Sequence, residues 1–441
     1  MSQAIATRPA RRHRLGRITA NPFLRSVLAL TGGAAAAQLL SLLAMPILAR
    51  LYTPQDFGAF GVFVAVLGIA ACLATLQYEN AIPLPRSPRA GANLLAAALA
   101  VLLGMSALFT AALLAADALY GDAAILLTLR PMLWLMPPSF LAIGLYLALL
   151  GWMLRLGQFR VMAGARVTQS AVVAAAQIGF GLLGASGIGL AMGNALGWAA
   201  SAVVLGVAAW RVRHAGLARI SPAGMGRAMR RYRKFPMVSS FSAMLEMIQM
   251  QAPVLLITML YGVQVGGLFL IANRVTLLPI NMLALSISQV MIRAMAGEAR
   301  SPEVLARVLP RVLAGLAAVG CVLAVVAAVG APLAFALVFG PEWTEAGHFV
   351  RAMAPLLLAQ FCVVPLNAIL LTRERQGVLI ASHGGRVALL LVTLPLCAWA
   401  GLAAVEMVLI YALTQAAAYL AALLAIWRIG RAGVTTRAVP A

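Results

Sequence analysis

Charge is scarce in this sequence. Only 10% of its 441 residues are Asp, Glu, Lys or Arg, where soluble domains carry about 25%. Hydrophobic residues make up 63% and the mean hydropathy is +0.97, more apolar surface than a soluble body of this size could hide. The excess must face lipid. Acids are the scarcest, 11 against 33 basic residues, for a net charge of +22. No polar domain exists to carry that charge, which excludes a nucleic-acid partner. Catalytic motifs are missing too: there is no Walker loop, no HExxH and no GxSxG. His13, His214, His348 and His383 are scattered without metal-ligand spacing. No enzyme, cofactor or metal is therefore expected, and any transport is passive or driven by an ion gradient. Cys72, Cys321, Cys362 and Cys397 all fall in apolar runs, with neither a CxxC pair nor a disulfide framework.

What is present is a succession of apolar runs. A membrane-spanning helix takes roughly 20 residues, so a helix-plus-loop unit of about 35 gives about twelve spans. They are placed at 26–49, 58–82, 91–116, 131–154, 161–183, 187–210, 237–261, 265–292, 312–339, 349–371, 377–400 and 404–427. The first is longer than the ~7–15-residue apolar core of a signal peptide and reads as a retained span. The fold class expected is thus all-α and integral to the membrane. Its parts are a basic tail over 1–25, a six-helix bundle over 26–210, a basic linker over 211–235, a second six-helix bundle over 236–427 and a tail over 428–441. The linker stretch "SPAGMGRAMRRY" has the pattern of a short surface helix.

Basic residues set the orientation. Alternate segments hold 27 of the 33, with six before Ser26 and eight in the central linker. The opposite loops hold only Arg50, Arg130 and Arg351, together with Asp56, Asp117, Asp122, Glu342 and Glu345. Both termini are expected on the cytoplasmic side. The halves also share a motif. "LYTPQDFGAF" from Leu51 and "LYGVQVGGLF" from Leu260 agree at five of ten positions, each between the first and second spans of its half. Six spans per repeat give the halves the same orientation, a parallel repeat of the kind transporters use for alternating access.

Three basic residues remain, Arg166, Arg274 and Arg386, each within a span. They sit in polar stripes at helical spacing. Arg166, Gln169, Ser170 and Gln177 share the fifth span; Ser239, Ser242, Glu246 and Gln249 the seventh; Asn273, Arg274 and Asn281 the eighth; and His383, Arg386 and Thr393 the eleventh. Lipid offers such groups no partner, so the stripes must face protein or water. An arginine inside a membrane costs at least ~2.5–3.5 kcal/mol on insertion scales and stays protonated. Its fork of donors matches phosphate and carboxylate. Three arginines around one cavity therefore point to an anionic head group. Two alternatives stay open: Arg166 or Arg274 could pair with Glu246 or Glu79 to hold helices together, and the amide and hydroxyl stripes could be interhelical hydrogen bonds.

The stretch from Ile47 to Pro85, "ILARLYTPQDFGAFGVFVAVLGIAACLATLQYENAIPLP", resembles the bacterial polysaccharide-unit (Wzx-type) flippases of the multidrug/oligosaccharidyl-lipid/polysaccharide exporter superfamily. Lys234 to Val290 looks like the matching part of the second half. The resemblance implies two six-helix bundles in a V, in the bacterial inner membrane. It implies a substrate of undecaprenyl-pyrophosphate-linked oligosaccharide moved from the cytoplasmic to the periplasmic leaflet, for O-antigen, capsule or exopolysaccharide synthesis. A polysaccharide polymerase and a chain-length regulator would be partners alongside membrane lipid. Family members have a cationic cavity, and Arg274 lies in the matching "ANRV" stretch. Arg386 and Arg166 rest on the stripes alone. Glu246, Gln249, Asn273, Asn281, Gln169 and Glu79 are secondary candidates for lining or coupling. An ion-coupled multidrug exporter of the same superfamily would need cavity carboxylates, and a non-transporting scaffold for polysaccharide synthesis would be insensitive to cavity substitutions.

Overall fold

The computed structural model describes residues 22–212, 220–277, 302–367 and 376–435, all-helical among these with no strand. Helix starts follow local chemistry. The helix Pro22–Leu51 (α1) ends at the shared motif, and the next, Pro54–Ala71 (α2), opens with a capping box. There Thr53 Oγ1 accepts from Asp56 N at 3.2 Å and Asp56 Oδ2 accepts from Thr53 N at 2.9 Å, satisfying donors that the first turn leaves free. Pro54 at the first position gives up no intrahelical bond. Ser87 caps Pro88–Tyr120 (α3) from one side only, its Oγ accepting from Ala90 N at 3.2 Å. Then come Met136–Arg155 (α4), Phe159–Leu182 (α5) and Gly187–Arg211 (α6). The linker helix is Pro222–Arg231 (α7), capped by Ser221, where the sequence pattern puts it. Further helices include Ser240–Tyr261 (α8), Val263–Leu277 (α9), Pro302–Val338 (α10), Ala354–Val363 (α11, preceded by the short helix Thr344–Ala352), Gln376–Trp399 (α12) and Ala404–Thr435 (α13).

Among the described residues, nine helices are long and apolar enough to cross a membrane, ten if the bent pair Pro341–Ala352 and Ala354–Leu366 is one span. Helix α5, diluted by Arg160, Arg166, Gln169 and Gln177, and the short described length of α9 occupy the fifth and eighth places. Two spans differ from expectation. The second is not continuous over 58–82: α2 stops at Ala71, and Leu76 and Gln77 take positive φ of 49° and 59° before a turn of helix at Tyr78–Ala81. The polar run there supplies the partners this break needs. Gln77 Nε2 donates to the Cys72 carbonyl at 3.0 Å, Asn80 Nδ2 to Gln77 Oε1 at 2.7 Å, and the Thr75 hydroxyl to the Glu79 carboxylate. The tenth span bends by 52° at Met353, because Pro355 has no N–H to continue the ladder.

Helix α5 packs on α1 and α6, and α4 on α3 and α6; among the later helices α8 packs on α12, and α13 on α10, α11 and α12. The largest buried cluster holds Phe57, Phe60, Phe63, Phe269, Trp343 and Phe349. Leucines and valines point away from it on the outer helices, as at Leu114 of α3 and Val329 of α10, which suits contact with acyl chains. The two motif segments meet each other directly. A Cβ on Gly58 would lie 1.9 Å from the Val263 carbonyl oxygen, and one on Gly267 would lie 1.8 Å from that of Pro54. Gly58 and Gly267 are equivalent positions in the two motifs, and so are Pro54 and Val263. The contact is therefore reciprocal, the mark of a two-fold relation, and each side needs a residue without a side chain. Trp343 seals the same end: its ring stands edge-on to Phe57 at 5.3 Å, and its Nε1 donates to the Ala49 carbonyl at 2.9 Å.

Candidate functional site

A cavity of about 340 Å³ opens between α1, α5 and α6 and is closed on one side by α9. Small residues let its walls approach: Gly193 lies against Gln177, and Gly197 against Val173. From α5 come Arg166, Gln169 and Ser170, one turn of stripe; from α9 comes Arg274; from α1 Gln38 and Ser41; from α6 Asn194 and Trp198. Among the described residues no carboxylate lines it. The guanidinium of Arg274 lies 5.7 Å from the centre of the Phe60 ring on α2, a cation–π contact that aims the side chain without neutralising it. Among the described residues the one ion pair is Arg130–Asp117, at 3.4 Å. Neither Arg166 nor Arg274 is paired with Glu246 or Glu79 there, so helix pairing does not account for them.

The structure divides the expected three-arginine site. Arg386 does not line this cavity. It is buried on α12 with its guanidinium 4.2 Å from the Tyr419 ring centre and Nη2 2.9 Å from His383 Nδ1. Gln249 Oε1 reaches the same ring nitrogen at 2.6 Å, and Gln415 Nε2 donates to the Arg386 carbonyl at 3.1 Å. Arg386 and Gln249 thus form a second polar group with His383, Tyr419 and Gln415, tying α8, α12 and α13 together. Equal spacing along the chain could not reveal this, because the rotation of each helix about its axis is set by packing.

The secondary candidates also separate. Gln169 lines the cavity. Glu79 does not; it is buried at the break after α2, held by Thr75. Gln177 leaves the stripe: its Nε2 donates to the Leu190 carbonyl at 2.8 Å, and its own carbonyl accepts from the Tyr52 hydroxyl at 2.7 Å. Glu246 is exposed on α8, Asn273 is half-buried on α9 beside the cavity residues, and Asn281 lies outside the described residues. Sequence reasoning missed Gln38, Ser41 and Asn194. The signal was there: Gln38 and Ser41 stand three apart in the first span, and Asn194 is the lone amide of the sixth.

The family model described as "Polysaccharide biosynthesis protein" matches residues 47–348. No curated protein matches the chain. Among solved structures the chain is similar to a multidrug resistance MATE family transporter of the MOP superfamily in an inward-facing conformation, with TM-score 0.75 at 19% identity over 91% of this chain and 96% of that one. It is similar to the lipid II flippase MurJ in an inward closed conformation, with TM-score 0.67 at 12% identity over 90% and 87%. A MOP superfamily transporter from Pyrococcus furiosus, described as having a binding pocket of reverse polarity, gives TM-score 0.59 at 15% identity over 93% and 94%. The fold is the one these transporters and flippases share, and the molecule is a multi-pass membrane protein.

Proposed function

The chain belongs to the polysaccharide biosynthesis protein family, and on that premise we propose that it is a flippase for lipid-linked oligosaccharide. The substrate is an undecaprenyl-pyrophosphate-linked repeat unit of an O-antigen, capsule or exopolysaccharide, turned from the cytoplasmic to the periplasmic leaflet of the bacterial inner membrane. The 26–210 and 236–427 halves rock about the sealed motif contact, with both termini and the 211–235 linker in the cytoplasm. The observation that carries this reading is a cavity holding Arg166 and Arg274 with no carboxylate among its described lining residues. Diphosphate enters against the two guanidinium forks, the amides and hydroxyls of Gln38, Ser41, Gln169 and Asn194 meet the first sugar, and the polyprenyl tail stays in lipid. Two fixed cations lower the cost of carrying phosphate across hydrocarbon. A cavity of this charge repels the cationic drugs that a multidrug exporter carries.

Surface polysaccharide tests the proposal. Arg166→Ala combined with Arg274→Ala should abolish surface polymer at normal protein level, with lipid-linked repeat units accumulating on the cytoplasmic leaflet. Normal polymer from that variant would overturn it.

A further inference from the structure

A second basic site lies away from the transport cavity, at the end of the molecule where α3 begins. A pocket of about 880 Å³ forms between the turn before α3 and the linker helix α7. Arg86 and Arg89 line one wall, Arg227 and Arg231 the other, and no acidic side chain is among the described lining residues. All four are exposed, and none has an ion-pair partner among the described residues. The starts of α3 and α7 both line it, through Ser87 and Ala90 and through Ser221 and Gly224, so two helix N-termini add their partial positive charge to four guanidinia.

This is a built pocket and not a loose basic strand. Asn93, buried, donates through Nδ2 to the Arg89 carbonyl at 2.8 Å and accepts at Oδ1 from Ser221 N at 2.9 Å, pinning the start of α7 to α3. Arg155 donates to the Ile82 carbonyl at 3.2 Å, the Pro85 carbonyl at 2.6 Å and the Ser87 carbonyl at 2.9 Å, which fixes the turn. Ala228 of α7 is buried in a cluster with Tyr78 and Trp152. The arginines are thus held in mutual repulsion around one space, an arrangement that a bound anion relieves. Topology alone, set by counting basic residues, does not require them to converge.

We propose that this pocket binds a phosphate group, from the headgroup of an anionic membrane lipid or from a water-borne diphosphate. The arginine forks take the phosphate oxygens in bidentate fashion, and the ligand clamps α7 against the first half of the molecule. The site is independent of the transport cavity, so its test does not read transport. The full chain is placed in phosphatidylcholine nanodiscs, with or without phosphatidylglycerol, and inorganic pyrophosphate is titrated separately; thermal unfolding and binding are read. Wild type should be stabilised by at least one of the two probes. Arg227→Ala with Arg231→Ala should weaken that binding at least tenfold, whereas Arg230→Ala with Arg233→Ala, which removes equal charge outside the pocket, should change it less than twofold. Arg227→Lys with Arg231→Lys should recover only part of the affinity. A response to phosphatidylglycerol alone assigns the lipid headgroup, and a response to pyrophosphate assigns the water-borne ligand. Equal losses from both alanine pairs, or no response to either probe, would overturn the proposal.

Discussion

Arg274 and Arg386 have the same side chain at similar depth in their helices, and the molecule treats them oppositely. Arg274 projects into an open cavity beside Arg166, with one aromatic face near it and no acid among the described lining residues. Arg386 is 3% exposed, lies over Tyr419 and is hydrogen-bonded to His383. The first arrangement leaves donors available to a ligand. The second turns its donors to its own helix, Nε to the Ser382 carbonyl at 3.4 Å and Nη2 to His383, while the Tyr419 ring and the Gln415 amide of α13 tie it to the neighbouring helix. Nη1 has no partner among the described residues. On the proposed function, an arginine within a span can serve a ligand only where its neighbours leave its donors free.

Substitution can break that contrast, and the largest effect is expected in the cavity. The double change at Arg166 and Arg274 should cut transport ~100-fold or more, roughly 2.7 kcal/mol at 1.36 kcal/mol per tenfold, with thermal unfolding in detergent unchanged. Unfolding at a lower temperature would make these arginines structural and erase the distinction. Arg386→Ala should do the reverse, destabilising the protein by about 2–4 kcal/mol through a buried void and broken hydrogen bonds. Transport per folded molecule should hold. A smaller effect is expected from Arg274→Lys, which keeps the charge and loses the fork; transport should fall about tenfold, since lysine meets phosphate as a point charge. The smallest should come from Tyr419→Phe. It keeps the ring under Arg386 and gives up one long contact to Gln360 at 3.5 Å, so its cost should stay below about 1 kcal/mol.

Much of the fold was legible before any packing was known. Apolar runs located the helices, because a backbone in lipid must satisfy itself within each segment. The ten-residue motif match marked the repeat, and the structure showed that its two copies meet at Gly58 and Gly267. The break after Ala71 was hidden, because "ATLQYEN" reads as a continuation of the span until its side chains are seen to bond the freed backbone. Of the site, the stripe of Arg166, Gln169 and Ser170 was legible from its spacing, and Arg274 from its motif. Gln38, Ser41 and Asn194 went unread: one pair three apart and a lone amide do not stand out as a stripe until packing brings them to the same cavity.

The sequence by itself determined that the chain is helical and membrane-spanning, that its basic residues gather in alternate loops, and that three arginines fall within apolar runs. Hydrophobicity, charge counting and helical spacing are local properties, readable along one chain. Only the tertiary structure decided which arginines share a space. That depends on how α1, α5, α6 and α9 turn about their axes and how closely their small residues let them approach. A rotation of one residue, about 100°, carries a side chain from cavity to core.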